Sequence, residues 1–166
     1  MAETPADRPE AEEQTEVDLS ASKVLVVDDN DQNLELLVAY LDSLACKVVT
    51  ASDGLEALEE IGKDCPDLIL LDIMMPRMSG YELCNKLKSD PKTREIPVIM
   101  VTALTELGDI ERGVESGTDD FITKPVNRLE LITRVKSLLR VRHLRTELDR
   151  TLAYLKEVED GPASED

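Results

Sequence analysis

Val24-Leu25-Val26-Val27-Asp28-Asp29 and Leu68-Ile69-Leu70-Leu71-Asp72 are two apolar runs that each end in acid. Runs of four to five residues rich in Val, Ile and Leu read as strands covered on both faces, the pattern of parallel sheets in α/β proteins. Carboxylates just beyond such strands stand where open sheets hold their ligands. Three acids converging there repel one another and hold one another's pKa values up unless a positive group joins them. A divalent cation is the economical solution.

The rest of the chain repeats the strand and helix alternation. A strand at Lys23–Val27 leads to a helix over 32–44, with Leu34, Leu37, Val38 and Leu41 as its apolar stripe and Asn30 or Asp31 as its cap. Cys46–Thr50 reads as a second strand, followed by a helix from Ser52 or Asp53 to about Gly62 with Leu55, Leu58 and Ile61 on one face. Asp67–Leu71, a Pro76-bearing loop, a helix over Gly80–Ser89 and a strand at Pro97–Val101 come next. The segment 105–116 is the weakest helix, because Gly108 and Gly113 each cost roughly 1 kcal/mol in helix preference. Asp120–Thr123 is a short fifth strand before Lys124-Pro125. Five strands alternating with five helices make an α/β fold with right-handed crossovers.

From Asn127 to Leu155 the chain runs 29 residues without Gly or Pro, about 43 Å of helix at 1.5 Å per residue. Leu131, Val135 and Leu138 suit packing on a sheet. Val141, Leu144, Leu148, Leu152 and Leu155 continue at spacings of three or four beyond the domain edge, a stripe that wants a partner helix in a homodimer or another protein.

The 166 residues carry a formal charge of -17, with seven acids against one Arg in Met1–Ser22 and five against one Lys in Lys156–Asp166. That balance argues against a duplex-binding surface, since nucleic-acid affinity rests on basic side chains that neutralise phosphate. The basic group Arg134, Lys136, Arg140, Arg142 and Arg145 reads as a solvated helix face or a site for an acidic partner. Cys46, Cys65 and Cys84 have no metal-ligand spacing and read as buried small hydrophobes in a reducing compartment. The acidic N-terminus has no apolar leader and no run approaches the ~20 residues that cross a bilayer, so a cytoplasmic protein without membrane attachment is expected. Residues 1–22, which have almost nothing to bury, read as a disordered acidic lead, and 156–166 as a disordered acidic tail.

Just after the first, third, fourth and fifth strands stand Asp28 and Asp29, Asp72, Thr102, and Lys124. A hard cation such as Mg²⁺ prefers oxygen ligands, which suits these acids. A hydroxyl and an ammonium opposite the metal complete a cradle for an anion, and phosphoryl transfer fits that inventory. Asp72 is the natural nucleophile, able to form an acyl phosphate while the cation and Lys124 neutralise the incoming group. His143, the sole histidine, lies deep in the long helix and reads as a surface residue.

Val24-Leu25-Val26-Val27-Asp28-Asp29-Asn30, Leu70-Leu71-Asp72-Ile73-Met74-Met75-Pro76, Met78-Ser79-Gly80, Val101-Thr102-Ala103, Gly117-Thr118-Asp119-Asp120-Phe121 and Thr123-Lys124-Pro125 together resemble the receiver domains of response regulators in two-component phosphorelays. The resemblance covers about Lys23 to Leu139. It implies a flavodoxin-like, doubly wound parallel sheet of order 2-1-3-4-5, with an extended C-terminal helix over 140–155. Asp72 then accepts a phosphoryl group from a histidine kinase or histidine phosphotransfer protein. Asp28, Asp29, Asp72 and the backbone carbonyl of Met74 bind Mg²⁺. Lys124 pairs with the phosphorylated aspartate, Thr102 is the switch hydroxyl, and Phe121 is the switch aromatic.

The resemblance also places Met74 and Leu104 where the hydrolytic water is positioned, and neither side chain hydrogen-bonds that water well. A slow autodephosphorylation follows, without multiple turnover. The eleven residues after Leu155 hold no DNA-binding or cyclase module, and the helical tail resembles the connector of either a single-domain regulator or a longer protein. Two other readings use the same residues. A Mg²⁺-dependent phosphohydrolase also wants clustered acids, a threonine and a lysine, yet Met74 stands where an acid would protonate the leaving group. A helical scaffold with a silent site would bind its partners independently of phosphorylation.

Overall fold

A computed structural model describes residues 18–103 and 107–161. In chain order its elements are β1 (Lys23–Val27), α1 (Asp31–Leu41), a 3-10 turn (Asp42–Leu44), β2 (Lys47–Ala51), α2 (Gly54–Lys63), β3 (Leu68–Asp72), α3 (Gly80–Ser89), β4 (Val98–Thr102), α4 (Leu107–Ser116), β5 (Asp120–Thr123) and α5 (Arg128–Glu159). The five strands form one parallel sheet of order β2-β1-β3-β4-β5. This is the doubly wound, flavodoxin-like arrangement expected from the resemblance. The expected lead lies mostly outside the described residues, although Leu19 already packs on the core; of the expected tail, 156–159 are instead the last residues of α5, which runs four residues beyond Leu155, and 162–166 lie outside the described residues.

Every residue of β1, β3 and β4 is buried, which is why these strands read as unbroken apolar runs rather than alternating ones. Alternation is still present, but it divides two hydrophobic layers. Leu25, Val27, Ile69, Leu71, Val98 and Met100 face Ala57 and Ile61 of α2 and Leu83, Cys84 and Leu87 of α3. Val24, Val26, Leu68, Leu70, Ile99 and Val101 face Leu34, Leu37 and Leu41 of α1 and Leu131, Val135 and Leu139 of α5.

The helices start where side-chain oxygens meet their open amide ends. Asn30, Asp53, Ser79 and Asn127 accept hydrogen bonds from the amides of Asn33, Glu56, Glu82 and Glu130 at 3.1, 2.8, 3.2 and 3.0 Å, each cap contributing about 1 kcal/mol. Four expectations shift. Helix α1 stops at Leu41 because the chain tightens into a 3-10 turn and then enters the left-handed region at Ala45, φ 55°. Leu55 is 54% exposed, since α2 centres its buried face on Ala57 and Ile61 instead. In α5 the deep position belongs to Leu139 rather than Leu138. Finally, β3 and β4 each run one residue further, so that Asp72 and Thr102 are the last strand residues.

Beyond the sheet, α5 is held to the domain at one more point. Arg145 Nη1 lies 2.8 Å from Glu95 Oε2, and Arg142 Nη1 donates to the Glu95 carbonyl at 3.2 Å. At 100° per residue, Leu144, Leu148 and Leu155 lie about half a turn round the helix from Leu139. They are exposed, as are Val141, Leu152 and Val158. Among the described residues no helix is long and apolar enough to cross a membrane.

Candidate functional site

Strand register brings the site together. Pairing of β1 with β3 sets Val27 beside Leu71, so the residues that follow, Asp28 and Asp72, emerge at the same edge of the sheet. Pairing of β3 with β4 places Asp72 beside Val101, next to Thr102. The backbone N–H of Lys124 donates to the Thr102 carbonyl at 2.7 Å, which ties the end of β5 to the end of β4 and turns the lysine into the cluster. The Lys124-Pro125 peptide there is cis.

Asp28 is 1% and Asp72 5% exposed. Lys124 Nζ lies between them, 3.3 Å from Asp28 Oδ2 and 3.5 Å from Asp72 Oδ1. Oxygens of Asp28, Asp29 and Asp72 lie within 4.8 Å of one another. The amide of Asn30 donates to Asp28 Oδ1 at 2.9 Å and that of Met74 to Asp72 Oδ1 at 3.4 Å. Burial, and then the negative charge of Asp28, push the Asp72 carboxyl up to about 6, against the opposing pull of Lys124. One ammonium therefore leaves the three carboxylates short of positive charge. The donor set is all oxygen, which suits a hard divalent cation such as Mg²⁺ rather than a thiophilic metal.

The predicted site residues Asp28, Asp29, Asp72, Thr102 and Lys124 are thus gathered at the carboxyl edge of the sheet. Thr102 is buried. The Met74 side chain points outward, 66% exposed, and Leu104 lies outside the described residues. Phe121 sits further back on β5, partly buried against the α2–α3 layer of the core. His143 is exposed and pairs with Glu147 at 3.1 Å, away from the site. Of the basic group, Arg134 is taken up by Asp120 and Glu130, and Arg142 and Arg145 by Glu95.

Two contributors were named in the sequence without a role at the site. Gly80 N donates to Ile73 O at 2.9 Å, folding the β3–α3 loop back so tightly that a Cβ at position 80 would strike the Asp72 carbonyl and approach Ile73 Cα to 2.8 Å. Only glycine lets the loop shape the backbone around Asp72 in this way. The second is Gly113, whose absent side chain leaves space filled by Phe121. In sequence it registers only as a helix-weakening residue, and nothing local announces its neighbour.

Residues 24–136 match the family model described as response regulator receiver domain, and the chain belongs to that family. It is a receiver domain of the two-component type. It is 48% identical over 128 residues to the response regulator PleD of Caulobacter vibrioides, an alignment covering 77% of this chain and 28% of PleD. It is 41% identical over 124 residues to the probable transcriptional regulator ycf27 of Cyanophora paradoxa, covering 75% of this chain and 51% of that protein. The chain therefore spans about a quarter of PleD and about half of ycf27. A solved structure of a putative response regulator from Chloroflexus aurantiacus superposes with a TM-score of 0.69 at 35% identity, covering 72% of this chain and 98% of the other.

Proposed function

We propose that this receiver accepts a phosphoryl group on Asp72 from a histidine kinase or histidine phosphotransfer protein and thereby switches a docking or dimerisation surface. The observation that carries the reading is a single ammonium, Lys124, shared between the buried carboxylates of Asp72 and Asp28, with Asp29 grouped beside them. In the transfer, a carboxylate oxygen of Asp72 forms a bond to phosphorus. The donor's bond to phosphorus breaks, and its electron pair leaves with the donor. Lys124 screens the charge of the incoming phosphoryl oxygens, and Thr102, at the adjacent strand end, supplies a hydroxyl to one of them.

Asp28, Asp29, Asp72 and the Met74 carbonyl are the groups that would hold Mg²⁺. When bound, the ion neutralises carboxylate repulsion and the charge of the phosphoryl oxygens. We take 23–139 as the receiver unit and 140–155 as a helical extension whose exposed leucine face pairs with a second copy or an output protein. Of the three cysteines expected to be buried only Cys84 is, Cys46 being half-buried and Cys65 exposed, and free thiols at these positions accord with a cytoplasmic setting.

Incubation with acetyl phosphate and Mg²⁺ tests the reading. One acid-stable, base-labile phosphoryl group per chain, absent from Asp72→Ala, is expected, together with a change in mass by light scattering. Continuous turnover of small phosphate monoesters would instead identify a phosphohydrolase. An unchanged oligomeric state and unchanged partner binding in Asp72→Ala, with and without donor, would identify a scaffold.

A further inference from the structure

Helix α4 carries a glycine in its interior, a choice that weakens a helix and calls for a reason. An ideal Cβ at Gly113 would collide with Cζ of Phe121, approach Cε1 of the same ring to 2.5 Å, and stand 3.5 Å from Met100 Sδ. Gly113 is itself buried. The contrast lies within the same chain, because Gly62 in α2 has nothing within 4 Å of its missing Cβ. Of these two helical glycines, Gly113 yields its side-chain space to an aromatic ring.

That ring belongs to β5, where Phe121 pairs in register with Met100, two residues before Thr102 on β4. One residue earlier in the helix, α4 is fastened to α3, with the Arg112 guanidinium 4.6 Å from the centroid of the Tyr81 ring. Side-chain positions 112 and 113 thus tie α4 to α3 and to β5 respectively. A ring seated directly on helix backbone has no intervening side chain to absorb a displacement.

We propose that Gly113 is a positioning residue for the phosphorylation switch: its missing Cβ forms the seat of the Phe121 ring on α4, so that ring and helix move as one. The proposal rests on the receiver reading above. It makes α4 the element that reports the state of Phe121, and it assigns the helix's weak propensity to a mechanical requirement.

The chain has a single Phe, so protein grown with phenylalanine labelled at the para ring carbon alone gives one aromatic signal, that of Phe121. This signal is followed by NMR in full-length wild type, Gly113→Ala and Gly62→Ala, before and after beryllofluoride with Mg²⁺. Gly113→Ala is expected to move the resting signal and to cut its beryllofluoride-induced change by roughly twofold or more. Gly62→Ala is expected to leave both as in wild type and to raise the thermal midpoint. Thermal midpoints supply the second measurement: adding Phe121→Leu to Gly113→Ala is expected to restore stability, because the smaller side chain vacates the seat.

A responsive wild type matched in both signals by Gly113→Ala overturns the inference alone. A wild type silent to beryllofluoride overturns the receiver reading and the inference with it. Should Gly113→Ala fail to fold, folding of the double variant supports the seat and its failure overturns it.

Discussion

Lys124 Nζ stands 3.3 Å from Oδ2 of Asp28, a carboxylate with 1% of its side chain exposed. The pair joins the end of the first strand to the residue that follows the last, and it is the cation that the acidic edge of the sheet has of its own. Removing one partner of such a pair leaves the other charge buried and uncompensated. Lys124→Ala is therefore expected to destabilise the Mg²⁺-free protein by about 1–3 kcal/mol at pH 8, the lysine's partial exposure keeping the loss below that of a fully buried pair. Added Mg²⁺ should recover part of it. Urea denaturation with EDTA and with Mg²⁺ measures both quantities.

Asp72 gives the pH dependence. Its folded-state pKa, raised to about 6 by burial and Asp28, lies above the unfolded value, so the fold favours the protonated acid. The corresponding stability is fully present below about pH 4 and is lost as pH rises through about 6. At pH 8 the ionised group costs up to about 3 kcal/mol. Asp72→Asn should thus be more stable than wild type at pH 8 without Mg²⁺, by about 1–3 kcal/mol, and the difference should vanish near pH 4. A urea midpoint for Asp72→Asn at or below that of wild type at pH 8 would contradict this.

Met74, two residues beyond the proposed phosphoacceptor Asp72, exposes an apolar side chain at the position where the receiver reading expects a polar group to orient an attacking water. The wild-type acyl phosphate should accordingly last minutes rather than seconds in Mg²⁺ buffer, and Met74→Asn should shorten its lifetime by roughly tenfold, equivalent to about 1.4 kcal/mol of barrier. Following loss of the base-labile phosphoryl group over time is sufficient. Decay of the wild type within seconds refutes the expectation.

Gly62 provides a test of stability remote from the site. With open space at its Cβ position and helical backbone, Gly62→Ala should raise stability by about 0.5–1 kcal/mol. A denaturation midpoint that falls would show that the position is crowded.

The exposed stripe of α5 makes a prediction about assembly. If Leu144, Leu148 and Leu155 pair with a second copy, Leu148→Lys should shift the mass by light scattering to that of one chain while leaving the thermal transition of the receiver intact. A mass unaffected by the substitution removes the stripe from the interface.

Much of this protein was legible in residue order because its information is periodic or punctual. Continuous apolar runs at 24–27, 68–71 and 98–101 reveal strands buried on both faces, and acids, Thr102 and Lys124 at their ends need only a parallel sheet to bring them together. Legibility ended where a residue's meaning depends on what packs against it. Leu55 looks like core until α2 rotates it outward, and Gly113 looks like a defect until the ring of Phe121 is beside it. The Arg145–Glu95 pair spans fifty residues of sequence, and no local pattern links its partners.

That same pair gives α5 a mechanical character. Among the described residues Glu95 is the last point at which the helix touches the domain through an ion pair, and about 21 Å of helix extends from Arg145 to Glu159 at 1.5 Å per residue. A tilt of roughly 5° there sweeps the far end through about 2 Å, enough to move a leucine out of the gap between two facing side chains. Any small tilt at that point would be magnified at the tip by the length of the helix alone, without repacking of the sheet.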